Sequence, residues 1–268
     1  MIVAALGVSE LDDFSDALEA EGAVRERVLA FGDRRVVIAA AAMPADAGPI
    51  AHRLRQARWQ AVARPDGGAA LDAWWRDTEP VVIADRLAVA VAWSEHERPD
   101  VPATVELAPG GVGNGHHPTT RLVLDVAVDT VRGGEQVLDV GCGSGVLGLA
   151  ALALGAARLT ALDIKPAAVD AARASAVLNG MSGRVVASTD SPGSVEGSFD
   201  IVFANIAREG VAALAPELVA ATARGGRLIV SGVTPAQTDL IAGLLAPLEL
   251  IDQRLDGDWA ALVFTTRQ

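Results

Sequence analysis

Val137-Leu138-Asp139-Val140-Gly141-Cys142-Gly143-Ser144-Gly145 is the stretch that decides the fold. Gln136–Val140 has the apolar character of a buried strand, and three glycines follow at alternate positions before Val146–Leu154, which reads as a helix. Glycines at a strand-to-helix turn let the backbone reverse sharply and approach a ligand with no Cβ in the way. The next apolar stretch, Arg158–Asp163, reads as a second strand. It ends on Asp163, about 20 residues after Gly143, where a carboxylate can accept both hydroxyls of a ribose.

Two ligands fit that geometry. Gly143-x-Gly145-x-x-Gly148 satisfies the dinucleotide fingerprint, which would make the chain a nicotinamide or flavin enzyme. The register disagrees, because the first glycine after the strand is Gly141. Asp139 also stands two residues before Gly141, where enzymes using S-adenosylmethionine (SAM) carry an acid beside the methionine end. The run resembles motif I of the class I SAM-dependent methyltransferases. Asp139, Gly141, Gly143, Gly145 and Asp163 are then the expected cofactor-binding residues. Asp190, near the end of a third strand (Val185–Ala187), is expected to accept from the adenine amine, although a solvated turn before Ser191-Pro192-Gly193 explains it as well.

Working outward, strands alternate with helices on both sides of this loop. A helix from Pro118 to Val131 precedes it. A helix over Pro166–Leu178, a strand over Phe199–Ala204, a helix around Val211–Ala223, a strand over Arg227–Ser231 and a helix over Pro235–Leu245 follow. Strands separated by helices imply a mostly parallel sheet with right-handed crossovers. Leu248–Arg254 and Trp259–Thr266 flank Asp256-Gly257-Asp258, a hairpin turn, so the last strand is expected to run antiparallel. The fold class is therefore α/β, a Rossmann-like methyltransferase sheet.

The first 65 residues read β-α-β-β-α-β. The strands are Ile2–Leu6, Val24–Ala30, Val36–Ala42 and one near Val62. The helices follow Leu11, Phe14 and Leu18, then Ile50, Leu54, Ala57 and Ala61. That order is the split motif of a small ferredoxin-like α+β domain. Leu71–Trp75 is a short amphipathic piece, Leu87–Trp93 alternates as a strand does, and the polar, proline-bearing Ser94–Pro102 reads as a linker. The expected division is 1–65 for substrate recognition, 66–117 for connecting strands and linker, and 118–268 for the methyltransferase domain.

Composition narrows the function. With 34 acidic and 22 basic residues among 268, the net charge is −12, which argues against direct contact with nucleic acid. The single cysteine, Cys142, excludes an intrachain disulfide and a cysteine-rich zinc site, and no metal ligand set is expected. Its position in the loop is a variable one and carries no catalytic role. A reducing cytoplasm is the expected compartment. The longest apolar run, Val146–Ala157, is ~12 residues against the roughly 20 that a membrane helix needs, so no membrane partner is expected.

On the acceptor side, Asp200-Ile201-Val202-Phe203-Ala204-Asn205-Ile206 delivers an asparagine to the carboxyl edge of the sheet, where open α/β sheets bind ligands. The Asn205 carbonyl and its neighbouring main-chain carbonyl can hold a neutral amine with its lone pair aimed at a methyl group. A helix N-cap is the structural alternative for Asn205.

Gly115-His116-His117-Pro118-Thr119-Thr120, Asp139–Gly145, Ala204-Asn205-Ile206, Gly225–Gly232 and Gly257–Val263 together resemble the PrmA family, which methylates amines of large-subunit ribosomal protein L11. Trp74-Trp75, Pro80 and Arg86-Leu87 are similar to the segment joining that family's recognition and catalytic domains. The resemblance covers 71–268 well and 1–65 only in element order. It implies that the segment before His117-Pro118-Thr119-Thr120 closes over SAM and that Thr120 lies near it. It also implies that Asn205 is catalytic as well as cofactor-binding, and that a basic ribosomal protein is the partner. Upstream, Ala108-Pro109-Gly110-Gly111-Val112-Gly113-Asn114-Gly115 departs from the family's Asp-Pro-Gly-x-Ala-Phe-Gly-Thr-Gly. That departure leaves a small molecule or another protein as alternative acceptor. A SAM-binding interaction module without catalysis is the reading from another class.

Overall fold

The computed structural model describes residues 2–7, 11–31, 34–41, 49–50, 53–54, 61–63, 78–92, 94–108 and 113–266. Four antiparallel strands form the N-terminal sheet: β1 (Ile2–Gly7), β2 (Ala23–Phe31), β3 (Arg34–Ala41) and β4 (Ala61–Ala63), in the spatial order β2-β3-β1-β4. Helix α1 (Leu11–Ala20) links β1 to β2 and buries Phe14 and Leu18, which are one turn apart. Gly22, at φ +74°, takes the left-handed conformation just past its end. Ile50 and Leu54 of the expected second helix are buried, and Ala57 lies outside the described residues. Ala61, read as helical, instead opens β4 opposite Ala4. Pairing with the open edge of β1 has overridden the helical preference of alanine. The piece at Leu71–Trp75 also lies outside the described residues.

A second sheet has three strands: β5 (Val81–Ile83), β6 (Leu87–Val91) and β7 (Ala103–Leu107). β6 is antiparallel to β5 and parallel to β7. Ser94–Pro102 is therefore the connection between two paired strands of one sheet. It is held by Arg98, whose guanidinium donates to the carbonyls of Val91 and His96 at 3.0 Å each and to Glu106 Oε1 at 2.9 Å. A polar, proline-bearing composition looks like a free linker in sequence because the bonds that hold it run from an arginine side chain to main-chain carbonyls, which no hydrophobic period records. Neither β5 nor β7 was expected; one has three residues, and the other alternates buried and half-buried positions just after the proline-bearing stretch.

The main sheet has seven strands, β8 (Gln136–Val140), β9 (Arg158–Leu162), β10 (Val185–Ser188), β11 (Phe199–Asn205), β12 (Thr222–Val233), β13 (Glu249–Asp256) and β14 (Trp259–Thr265), ordered β10-β9-β8-β11-β12-β14-β13. β8 to β12 are parallel, and β14 runs antiparallel between β12 and β13. Gly257 (φ +57°) and Asp258 make the two-residue turn that returns β14 against β13. The helices are α2 (Pro118–Thr130), α3 (Val146–Ala153), α4 (Pro166–Leu178), α5 (Arg208–Ala221) and α6 (Thr238–Leu244). α5 starts three residues earlier than its apolar pattern indicated, β12 starts at Thr222 instead of Arg227, and Pro235–Gln237 is a 3-10 turn leading into α6.

β11 shows how sequence sets the layers. Ile201 and Phe203 point to one apolar cluster and Val202 and Ala204 to the other, the period-2 alternation of a strand covered on both faces. The first cluster also takes in Val81, Val89, Val105 and Leu107, so the three-stranded sheet shares a core with the seven-stranded one. The chain runs outward from β8 to β10 and then returns to β11 beside β8, which puts a topological switch point between those two strands.

Candidate active site

The glycine loop and Asn205 leave the sheet at that switch point, from adjacent strands. Gly141 has φ +76°, and a Cβ there would lie 2.4 Å from Ile206 Cγ2, so only glycine fits. Its N–H and that of Cys142 both donate to the Leu162 carbonyl, at 2.8 and 3.0 Å, anchoring the turn to the end of β9. Gly143 at φ +56° and Gly145 at φ +83°, the N-cap of α3, complete a left-handed series at alternate positions. The N-terminus of α3 opens there with no side-chain cap bond from Gly145, and a helix start of this kind presents N–H groups to a ligand.

Asp139 is 1% exposed, and its two oxygens have different environments. Oδ2 accepts from Gly148 N–H at 3.1 Å, while Oδ1 is buried without a hydrogen-bond partner. Burial pushes the carboxyl up from 3.8 to about 7, against the lowering effect of the Gly148 bond and with a smaller upward push from the charge of Asp163. An unsatisfied buried acceptor is costly, and its presence beside a cradle lined by glycine is an observation that a donor-bearing ligand would resolve. Asp163 accepts from Gly143 N–H at 3.1 Å through Oδ2 and from Lys165 N–H at 2.9 Å through Oδ1, so the acid orients the loop and keeps further lone pairs for hydroxyl donors. These residues fit SAM.

Ile164, beside Asp163, is 88% exposed, an apolar side chain on the carboxyl edge with no face to bury it. Sequence reading passed over it; the signal available was an isoleucine just past the end of its strand pattern. Asp190 stands exposed beyond β10, its N–H donating to Ser188 Oγ at 3.4 Å. The structure brings the loop residues and Asp163 together, and Asp163 N–H donates to the Ser188 carbonyl at 3.2 Å, so Asp190 follows two residues on at the same sheet edge. Cys142 is buried, and burial pushes its thiol up, so it stays protonated and unreactive.

Across the switch point, Asn205 Nδ2 donates to Thr120 Oγ1 at 3.3 Å. The N-cap of α5 is Ala207, so the capping alternative for Asn205 does not hold. Thr120 is buried in the first turn of α2, whose cap is His117: the His117 Nδ1 accepts from Thr119 N–H at 3.3 Å and lies 2.8 Å from Thr119 Oγ1. Pro118 at N1 sacrifices no hydrogen bond there. The His117 ring meets Trp259 edge-on at 5.4 Å. His116 bonds through Nε2 to the Glu79 carbonyl at 2.8 Å. Both histidines therefore build the site and neither stands as a base. Among the described residues, no group of three or more His, Cys, Asp or Glu could hold a metal ion, and no helix is long and apolar enough to cross a membrane.

The strand order, the glycine loop after β8, the acid after β9 and the antiparallel β14 next to the edge define a class I methyltransferase. A solved ribosomal protein L11 methylase from Lactobacillus delbrueckii subsp. bulgaricus superposes with a TM-score of 0.65 at 29% identity, covering 71% of this chain and 100% of that one. The ribosomal protein L11 methyltransferase of Cupriavidus necator is 40% identical over 250 residues, 89% of this chain and 78% of the relative. That of Dechloromonas aromatica is 42% identical over 190 residues, 69% of this chain and 62% of the relative. The family model for ribosomal protein L11 methyltransferase (PrmA) matches residues 13–267, and the chain belongs to that family.

Proposed function

We propose that the chain transfers a methyl group from SAM to an amine of ribosomal protein L11 in the cytoplasm, with residues 1–65 recognising the protein substrate, 66–117 connecting, and 118–268 carrying the reaction. The observation that carries the reading is the Asn205–Thr120 bond. It engages the amide nitrogen and so leaves the carbonyl Oδ1 to accept from an amine. The donor, when bound, supplies an electrophilic methyl on a sulfonium that is already a good leaving group. The protein's own work is then orientation and exclusion of water.

Asp139 and Gly141, Gly143 and Gly145 would hold the methionine end. Asp163 would take the ribose hydroxyls, Ile164 an apolar base face, and Asp190 the adenine amine. Asn205 Oδ1 would accept from the substrate nitrogen and aim its lone pair, and Thr120 would keep Oδ1 in place. A lysine acceptor has to shed a proton first, which from a reference pKa of about 10.4 costs roughly 4 kcal/mol at neutral pH. A dry, apolar surround of the kind buried around β11 lowers that cost by disfavouring the ammonium form. The net charge of −12 favours approach of a basic protein. Calorimetric titration with S-adenosylhomocysteine and with NAD tests the donor: binding of the first and not the second is expected, and tight NAD binding alone would overturn the reading.

A further inference from the structure

Among the described residues, the segment leading into α2 is bonded to the glycine loop by a buried side chain. Ser144 is 1% exposed, and its hydroxyl donates to the Gly113 carbonyl at 2.5 Å. Gly113 is seated closely: it has φ +94°, and a Cβ there would stand 3.6 Å from Val146 Cγ1 and 3.8 Å from Ser144 Oγ. The residues that follow are fixed from other directions. A Cβ at Gly115 (φ +92°) would be 3.3 Å from Val89 Cγ1, and His116 is held by Glu79. His117 then caps α2, which carries Thr120 to Asn205. A short route of bonded groups thus runs from the glycine loop to the amide expected to orient the acceptor.

We propose that Ser144 is a positioning residue that couples a ligand on the glycine loop to segment 113–117 and, through it, to the Thr120–Asn205 pair. The coupling rests on the donor reading above; the holding of the segment does not. The loop's own shape is set by main-chain bonds, Gly141 and Cys142 N–H to Leu162, Gly145 N–H to Cys142, and by Gly143 N–H to Asp163, none of which uses the Ser144 hydroxyl. Removing that hydroxyl therefore releases the segment and spares the cradle.

The test compares wild type with Ser144→Ala by amide hydrogen exchange, with and without S-adenosylhomocysteine. Without ligand, exchange in peptides covering 113–117 should quicken about fivefold, the loss of roughly one net hydrogen bond, while α3 and β9 keep wild-type rates. Ligand should slow exchange at 113–117 in wild type and much less in the variant, so the difference between the two proteins should widen beyond about fivefold. Unchanged exchange at 113–117, faster exchange throughout the chain, or equal protection by ligand in both proteins would each overturn the proposal. Failure of wild type to bind S-adenosylhomocysteine would overturn the donor reading and the coupling with it, and the ligand-free comparison would still decide whether Ser144 holds the segment.

Discussion

Asp139 offers the most quantitative test of the site, because its protonation links fold stability to pH in a direction opposite to that of most carboxylates. The folded protein raises its pKa from 3.8 to about 7 by burying it with Oδ1 unpaired. The folded state therefore holds a proton that the unfolded chain has lost, and the stability this contributes is complete below the unfolded value and vanishes as pH rises through about 7. A shift of about three units corresponds to roughly 4 kcal/mol in total, of which about 2 kcal/mol falls between pH 5.5 and pH 8. Asp139→Asn cannot ionise and removes this component alone. Urea unfolding of both proteins across that range should show wild type losing about 2 kcal/mol more than the variant as pH rises. Parallel stability curves would refute the burial argument. The same linkage predicts that a cationic ligand amine reaching Oδ1 binds more weakly as pH falls below about 7, with proton release on binding detectable by calorimetry in buffers of different ionisation enthalpy.

Other residues give sharper single outcomes. Asn205→Ala should keep affinity for S-adenosylhomocysteine in titration calorimetry and lose methyl transfer, since the proposed role of the side chain is toward the acceptor and not the donor. Thr120→Val should lower kcat about tenfold with little change in donor affinity, because one hydrogen bond that orients Asn205 is lost. Gly141→Ala would force a Cβ to 2.4 Å from Ile206 Cγ2 at φ +76°, and thermal unfolding should register a loss of about 2–4 kcal/mol. Asn179 closes the edge of β7, donating to the Glu106 carbonyl at 2.7 Å and accepting from the Glu106 N–H at 2.9 Å, so Asn179→Ala should cost about 1–3 kcal/mol in urea unfolding.

The main sheet was legible because its signals are local. Gln136–Val140 and Pro166–Leu178 are observed with the bounds read from the sequence, since a short, mostly apolar run before a glycine turn marks a buried strand and a proline marks a first helical turn. The antiparallel β14 followed from Gly257-Asp258 for the same reason. What escaped notice depends on partners far along the chain. β7 is secured by Asn179, just past the end of α4, and β4 by the edge of β1. Periodicity within a short window carries neither of these. In the site, the loop glycines and both acids were readable from spacing. The orphaned Oδ1 of Asp139, the bond from Ser144 to Gly113 and the exposed Ile164 were not, because each is a fact about which atoms lack or find a neighbour.

The central claim is that the Asn205 amide serves methyl transfer to an amine of ribosomal protein L11. It is tested most directly by incubating the purified chain with methyl-labelled SAM and purified L11, wild type beside Asn205→Ala, and locating the label by mass spectrometry of peptides. Label on lysine or N-terminal amines of L11 with wild type, and none with the variant, is the expected result. L11 left unlabelled by a wild-type protein that binds the donor, or labelled equally by both proteins, would contradict it.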